Sequence, residues 1–150
     1  MKPIRNSAKA IIIKGDHVLL TKNRDQWGDF YLFPGGGQEK GEDLHNTLRR
    51  ECLEEIGCDV FVGDIVCIRE YIGTDHEFAK LDKDIHQVEF YFSCQLSAGN
   101  QPRNGHNPDD MQIGVEWHPI HSLKDLRLYP KALGDKLSEN QRMIYLGNVN

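Results

Sequence analysis

Residues 42–57 read Glu-Asp-Leu-His-Asn-Thr-Leu-Arg-Arg-Glu-Cys-Leu-Glu-Glu-Ile-Gly, and no other stretch constrains the fold as tightly. Leu44, Leu48, Cys52 and Ile56 recur every four residues and form the apolar stripe of an amphipathic helix predicted from Glu42 to Ile56. Gly57 follows, where a helix C-terminus favours glycine. At about 100° per residue, Glu51, Glu54 and Glu55 share one sector of that helix. Glu55 falls inside the edge of the stripe, on the side that should pack against protein. Like charges at such spacings cost a helix a few tenths of a kcal/mol each, whereas an unpaired buried carboxylate is far more expensive. Two readings stand at this point. The acids form a solvated face, or they are oxygen ligands that a hard divalent cation would draw together. Arg50 flanks Glu54 and could hold it by a charge-assisted hydrogen bond. Glu42, in the first turn, suits the positive end of the helix dipole and could pair with a basic group.

The segment before the helix, Phe-Tyr-Leu-Phe-Pro-Gly-Gly-Gly at 30–37, reads as an aromatic strand stopped by Pro34 and three glycines. Gly35, Gly36 and Gly37 allow close backbone approach to a ligand, and a carbonyl turned outward there could join a metal's ligands. Around this unit, residues 9–23 read as a hairpin about Gly15-Asp16. Residues 24–29 and 73–84 read as polar loops, and 97–112 as a longer loop rich in Gly, Pro, Asn and Asp. Strands are predicted at 58–72, 86–96 and 113–120, and a weaker helix at 129–142, interrupted by Gly134. With no repeat or linker, residues 1–150 are expected to form one mixed α/β layered domain.

Charge and cysteines narrow the function. A net charge of −5 argues against a protein that coats nucleic acid, but not against a phosphorylated small molecule, because a bound dication reverses the local sign. The apolar run near the N-terminus ends at Lys14 and Gly15. No signal peptide or membrane span is expected. Cys52, Cys58, Cys67 and Cys94 form no C-x-x-C pair and no zinc pattern with histidine, which suggests reduced thiols in the cytoplasm.

Taken together, Gly36, Glu42 and Arg50-Glu51-Cys52-Leu53-Glu54-Glu55-Ile56-Gly57-Cys58 resemble the signature box of the Nudix hydrolases, a MutT-like family. Residues 36–58 match every fixed position, with cysteine at both aliphatic positions, where a buried thiol serves as a small hydrophobe. The resemblance implies an α/β/α sandwich around a mixed β-sheet. It implies hydrolysis of a nucleoside diphosphate linked to another group, by water attack at phosphorus. Carried over by position, Glu51, Glu54, Glu55 and the carbonyl of Gly36 would ligate Mg²⁺ or Mn²⁺, while Glu42 and Arg50 would support them. Arg50, Glu42, Glu51 and Glu54 are the expected catalytic set. The implied partner is a small nucleotide derivative, not nucleic acid or a membrane, and dimers are common in such families.

The general base stays open between Glu51 and a loop acid such as Asp109, Asp110 or Glu116, with Glu77, Asp82 and Asp84 in the other polar loop. Trp27, Phe30, Tyr31 and Tyr71 could stack on a base, and Lys22 and Arg24 could meet a phosphate. One face of the strand around residues 86–94 could line the cleft. The alternatives are a non-catalytic Nudix-like nucleotide sensor, which would be expected to have lost box glutamates, and an mRNA-cap hydrolase, which would need a basic path.

Overall fold

The computed structural model describes residues 2–142 and 144–150. At Gly15, a positive φ of 62° turns β1 (Arg5–Lys14) into β2 (His17–Asp25). These strands pair at the hairpin base, Ile13 opposite Val18 and Lys14 opposite His17, and then diverge. β1 runs parallel to β6 (His86–Leu96), with β5 (Val60–Ile72) antiparallel beyond it and β9 (Tyr145–Asn148) at the edge. β2 instead pairs with β3 (Gly28–Leu32) and β7 (Gln112–Pro119), and β3 with the short β8 (Leu128–Tyr129). Two mixed layers thus share one hairpin.

Strand alternation decides what faces what. Ala8, Ala10 and Ile12 of β1 and Phe92 and Cys94 of β6 point into a core under α1 (Leu44–Ile56), where Leu48, Cys52 and Ile56 are fully buried. The large members, Ile12, Leu48, Ile56 and Phe92, each contribute about 1.5–3 kcal/mol by leaving water. Leu44 is partly buried beside them. A second core holds Ile11, Val18, Leu20, Phe33 and Tyr91 together with Leu133 of α2 (Lys131–Ser138). The two helices therefore pack on separate cores, the mixed α/β arrangement expected. All four cysteines are buried and free. Among the described residues, no helix is long and apolar enough to cross a membrane.

Several expectations need correction. Residues 24–29 are not a loop: Arg24 and Asp25 extend β2 and pair with Asp29 and Gly28. The glycines do not merely stop a strand. Gly35–Gly37 form β4, paired with Lys9, Ala8 and Ser7 of β1. A Cβ on Gly35 would lie 2.1 Å from the Ala8 carbonyl oxygen, so only glycine allows this approach. α1 begins at Leu44, because the Asp43 carboxylate accepts from the Asn46 N–H at 2.8 Å and caps the helix. Glu42 is therefore outside the helix. Gly134 does not interrupt α2. It is buried, and a Cβ there would lie 2.7 Å from Leu128.

Candidate active site

β4 and α1 bring the box residues together. Glu42, freed from capping, receives a two-pronged bond from Arg50, Nε to Oε2 at 2.7 Å and Nη2 to Oε1 at 2.9 Å. That fork, aided by the Glu39 N–H, draws the Glu42 carboxyl down to about 2. Nη2 of Arg50 also donates to the Gly37 carbonyl at 3.0 Å, and Nη1 to Glu51 at 3.0 Å and Glu54 at 3.4 Å. One cation therefore spans loop, β4 and helix. A Cβ on Gly36 would lie 2.5 Å from the Glu51 carboxyl carbon, so that carboxylate rests directly on the glycine backbone.

Glu55 is 3% exposed. Its carboxylate accepts from the Gly35 N–H at 2.9 Å. Burial pushes the group up to about 8 despite nearby Lys9 and that hydrogen bond. Burial also raises the Glu51 carboxyl, against the pull of Arg50. Among the described residues, no three acidic, histidine or cysteine side chains converge on one point. Arg50 stands between Glu51 and Glu54, and Glu55 turns toward β4.

The loop at 97–111 closes the far end of α1. The N–H groups of Arg103, Gly105 and Asn107 donate to the carbonyls of Ile56, Glu55 and Glu54 at 3.0–3.1 Å, and the Gln112 amide donates to Glu55 O at 2.7 Å. These are carbonyls a helix end leaves without partners. The same loop delivers Asp109 to a cavity of about 230 Å³ that also touches Lys9, Gly36, Glu51 and Glu89. Asp110 does not line this cavity. Glu116 is on β7, bonded to Lys22 at 3.3 Å and to His118 at 3.0 Å. Asp82 accepts from the Tyr71 hydroxyl at 2.6 Å, and Glu77 from the Asn150 amide at 3.0 Å.

Leu32, Arg69, Gln87, Glu89 and Tyr129 also line a larger cleft of about 670 Å³. Trp27, Phe30 and Tyr71 lie on its walls, while Tyr31 packs against His118 outside it. Arg24 lies at its rim, paired with Asp29 at 2.6 Å, and Lys22 bonds Glu116 away from it. Sequence reasoning missed Phe78, Tyr129 and Arg127. The Phe78 ring meets Trp27 at a tilt, with centroids 5.7 Å apart, and Tyr129 edge-on at 5.8 Å. Arg127 is gripped by both Asp25 oxygens at 2.7–2.8 Å and lies over the Phe30 ring at 5.0 Å. On β6, Gln87, Glu89 and Tyr91 face the cavity, opposite the core-facing Phe90 and Phe92; no local pattern marks Phe78, Arg127 or Tyr129.

The sequence profile of the NUDIX domain matches residues 3–137. An RNA pyrophosphohydrolase of Campylobacter jejuni is 31% identical over 108 residues, spanning 65% of this chain and 67% of that protein. Nucleoside diphosphate-linked moiety X motif 6 of Xenopus laevis is 27% identical over 106 residues, 71% of this chain and 45% of that one. A solved NUDIX hydrolase from Nitrosomonas europaea superposes with a TM-score of 0.71 at 18% identity, covering 94% of this chain and 93% of the other.

Proposed function

The chain belongs to the Nudix hydrolase family and is a hydrolase of phosphoanhydrides, and from that premise we propose that it cleaves a nucleoside diphosphate linked to a further group in a metal-dependent reaction. The observation that carries this reading is the seating of Glu51 on Gly36, in a cavity shared with Asp109 that opens into an aromatic cleft. Base and phosphates thereby find separate, adjoining places.

The donors suit Mg²⁺ or Mn²⁺ in kind, and Arg50, which separates Glu51 from Glu54 in this structure, would have to yield for them to converge. They are hard oxygens, and Glu55 is a buried carboxyl whose hydrogen bond and neighbouring lysine do not offset its burial. Glu51, Glu54, Glu55 and the Gly36 carbonyl would hold the ion. When bound, it neutralises pyrophosphate charge and makes its water more acidic. The chain's own residues do the rest. Arg50, locked by Glu42, keeps the helix and β4 at fixed spacing. Glu51 or Asp109, on the same cavity, takes the proton of the attacking water. The phosphoanhydride bond then breaks, and the departing phosphate carries off the bonding electrons. Trp27, Phe78 and Tyr129 offer faces for a base, with stacking contributing about 1–3 kcal/mol.

A nucleotide panel with Mg²⁺ and with Mn²⁺, on wild type and Glu54→Gln, tests the reading. The Campylobacter relative is named an RNA pyrophosphohydrolase, so an RNA with a phosphorylated 5′ end joins that panel. Metal-dependent release of a nucleoside monophosphate or of phosphate species, largely lost in the variant, is expected. Nucleotide binding with turnover at background would instead favour the non-catalytic sensor.

A further inference from the structure

The five residues common to the small cavity and the aromatic cleft mark the joint between them, and two of the five, Arg69 and Glu89, are charged. Glu51, Gly36 and Asp109 lie on the small-cavity side only, Trp27 and Phe78 on the cleft side only. Arg69 and Glu89 sit opposite each other on β5 and β6 and are 7% and 5% exposed.

Their bonds leave two atoms over. Arg69 Nε donates to Glu89 Oε1 at 2.8 Å, and Nη1 to Val149 O at 2.8 Å and Asn150 Oδ1 at 3.1 Å. The Tyr91 hydroxyl donates to that same Oε1 at 2.7 Å. Arg69 Nη2 and Glu89 Oε2 have no hydrogen-bond partner among the described residues. Neither atom is sealed inside the protein, since His86 Nε2 is the only fully enclosed side-chain nitrogen or oxygen among those residues to lack a partner. A charged donor and a charged acceptor of one salt bridge thus stay unsatisfied where the two cavities meet.

Few groups can satisfy both atoms. Burial pushes the Glu89 carboxyl up, but Arg69 and Lys9 hold it below its ordinary range, so at neutral pH it only accepts. A guanidinium only donates. A phosphate oxygen would suit Arg69 but be repelled by Glu89, and a carbonyl could meet Arg69 alone. A hydroxyl meets both: it gives its hydrogen to Glu89 and accepts from Arg69 on a lone pair. In any nucleotide the sugar lies between the base and the first phosphate. With phosphates beside Glu51 and the base near Trp27 and Phe78, the sugar falls at this joint.

Resting on the reading of the site above, we propose that Arg69 and Glu89 are specificity-determining residues that grip one free ribose hydroxyl, 2′ or 3′. Nucleotides lacking it are then poor substrates, because closing the joint strips water from two charged groups and returns no bond. A grip on the 2′-hydroxyl selects ribonucleotides against deoxyribonucleotides. A grip on the 3′-hydroxyl selects free nucleotides against the 5′ ends of longer chains.

The full chain is assayed with Mg²⁺ on the 5′-triphosphates of adenosine, guanosine and uridine and on the 2′-deoxy and 3′-deoxy forms of each. One of the two deoxy forms should lose about tenfold or more in kcat/KM, and which one it is assigns the hydroxyl. Equal values for all three forms overturn the proposal. The same comparison in Glu89→Gln and Arg69→Lys separates contact from scaffolding. A lost contact shrinks the ratio of ribonucleotide to deoxy form toward one, whereas a purely structural pair lowers both rates alike. An unchanged ratio in both variants therefore also overturns it. Calorimetric titration of the wild type with the matching 5′-monophosphates repeats the test without turnover, and equal affinities for the three forms count against the proposal in the same way. Discriminating binding with turnover at background defeats the enzymatic reading and leaves the grip on the hydroxyl standing. A wild type that binds none of these compounds defeats both.

Discussion

Replacing Arg69 with methionine removes the buried ion pair beneath the clefts, together with the bonds that Arg69 Nη1 gives Val149 O at 2.8 Å and Asn150 Oδ1 at 3.1 Å. Arg69 and Glu89 face each other on β5 and β6, are 7% and 5% exposed, and meet at 2.8 Å. The Tyr91 hydroxyl donates to the same Glu89 oxygen at 2.7 Å. Burial pushes the Glu89 carboxyl up, but Arg69, Lys9 and these hydrogen bonds outweigh it and hold the group below its ordinary range. Methionine keeps the apolar stem and leaves the carboxylate buried with Tyr91 and Lys9. Losing one partner of a buried pair costs about 3–5 kcal/mol, a fall of roughly 6–20 °C in melting midpoint for a chain this size. In the wild type the depressed carboxyl contributes stability that is present above its unfolded value, near about 4.3, and is lost as pH falls through the folded one. In the variant, burial is opposed less and the folded pKa rises above the unfolded value. Protonation then relieves the penalty, so the gap between the two proteins narrows from neutral pH toward pH about 5. Adding Glu89→Gln removes the stranded charge and should recover much of the loss. Calorimetric melts of the three proteins across this range read every step. A midpoint fall under about 2 °C, or a gap that does not change with pH, refutes the reasoning.

Two further outcomes follow from the site. Glu42→Gln removes the anion that holds Arg50 and lets the guanidinium compete for Glu51 and Glu54. Metal affinity or turnover should drop by about 10–100-fold, and a metal titration of activity that superposes on wild type counts against this. Phe78→Ala removes the ring packed against Trp27 and Tyr129. KM should rise by about tenfold with kcat retained, and a fall in kcat at constant KM argues against a base in this cleft.

What the sequence revealed follows how local each cause is. The stripe Leu44, Leu48, Cys52 and Ile56 is local, and three of its four members are fully buried. Glu55, placed at the stripe's edge by geometry alone, is indeed enclosed. β6 was legible as a strand because its polarity alternates, but not the face it gives the cleft, which depends on its register with β1. The glycines misled because propensity reads them as a turn, whereas β4 exists only because β1 and Glu51 press where side chains would be. Glu42 was assigned to the helix because nothing local ranks it against Asp43 for the cap. Arg127 and Asp25 are 102 residues apart, and no short-range pattern could pair them.

The tie between residues 103–112 and the end of α1 has a consequence for how this protein can vary. Asp109 does not hang from a free surface segment. Its backbone neighbours are stitched to the carbonyls of Glu54, Glu55 and Ile56, and Gly105 lies so close that a methyl group would strike Glu54 O at 2.2 Å. Helix tip and loop thus travel as one piece, with the spacing between their acids set by main-chain bonds. Added or deleted residues should be absorbed before Arg103, whereas a single residue gained between Gly105 and Asp109 would put the acid out of step with the glutamates it faces.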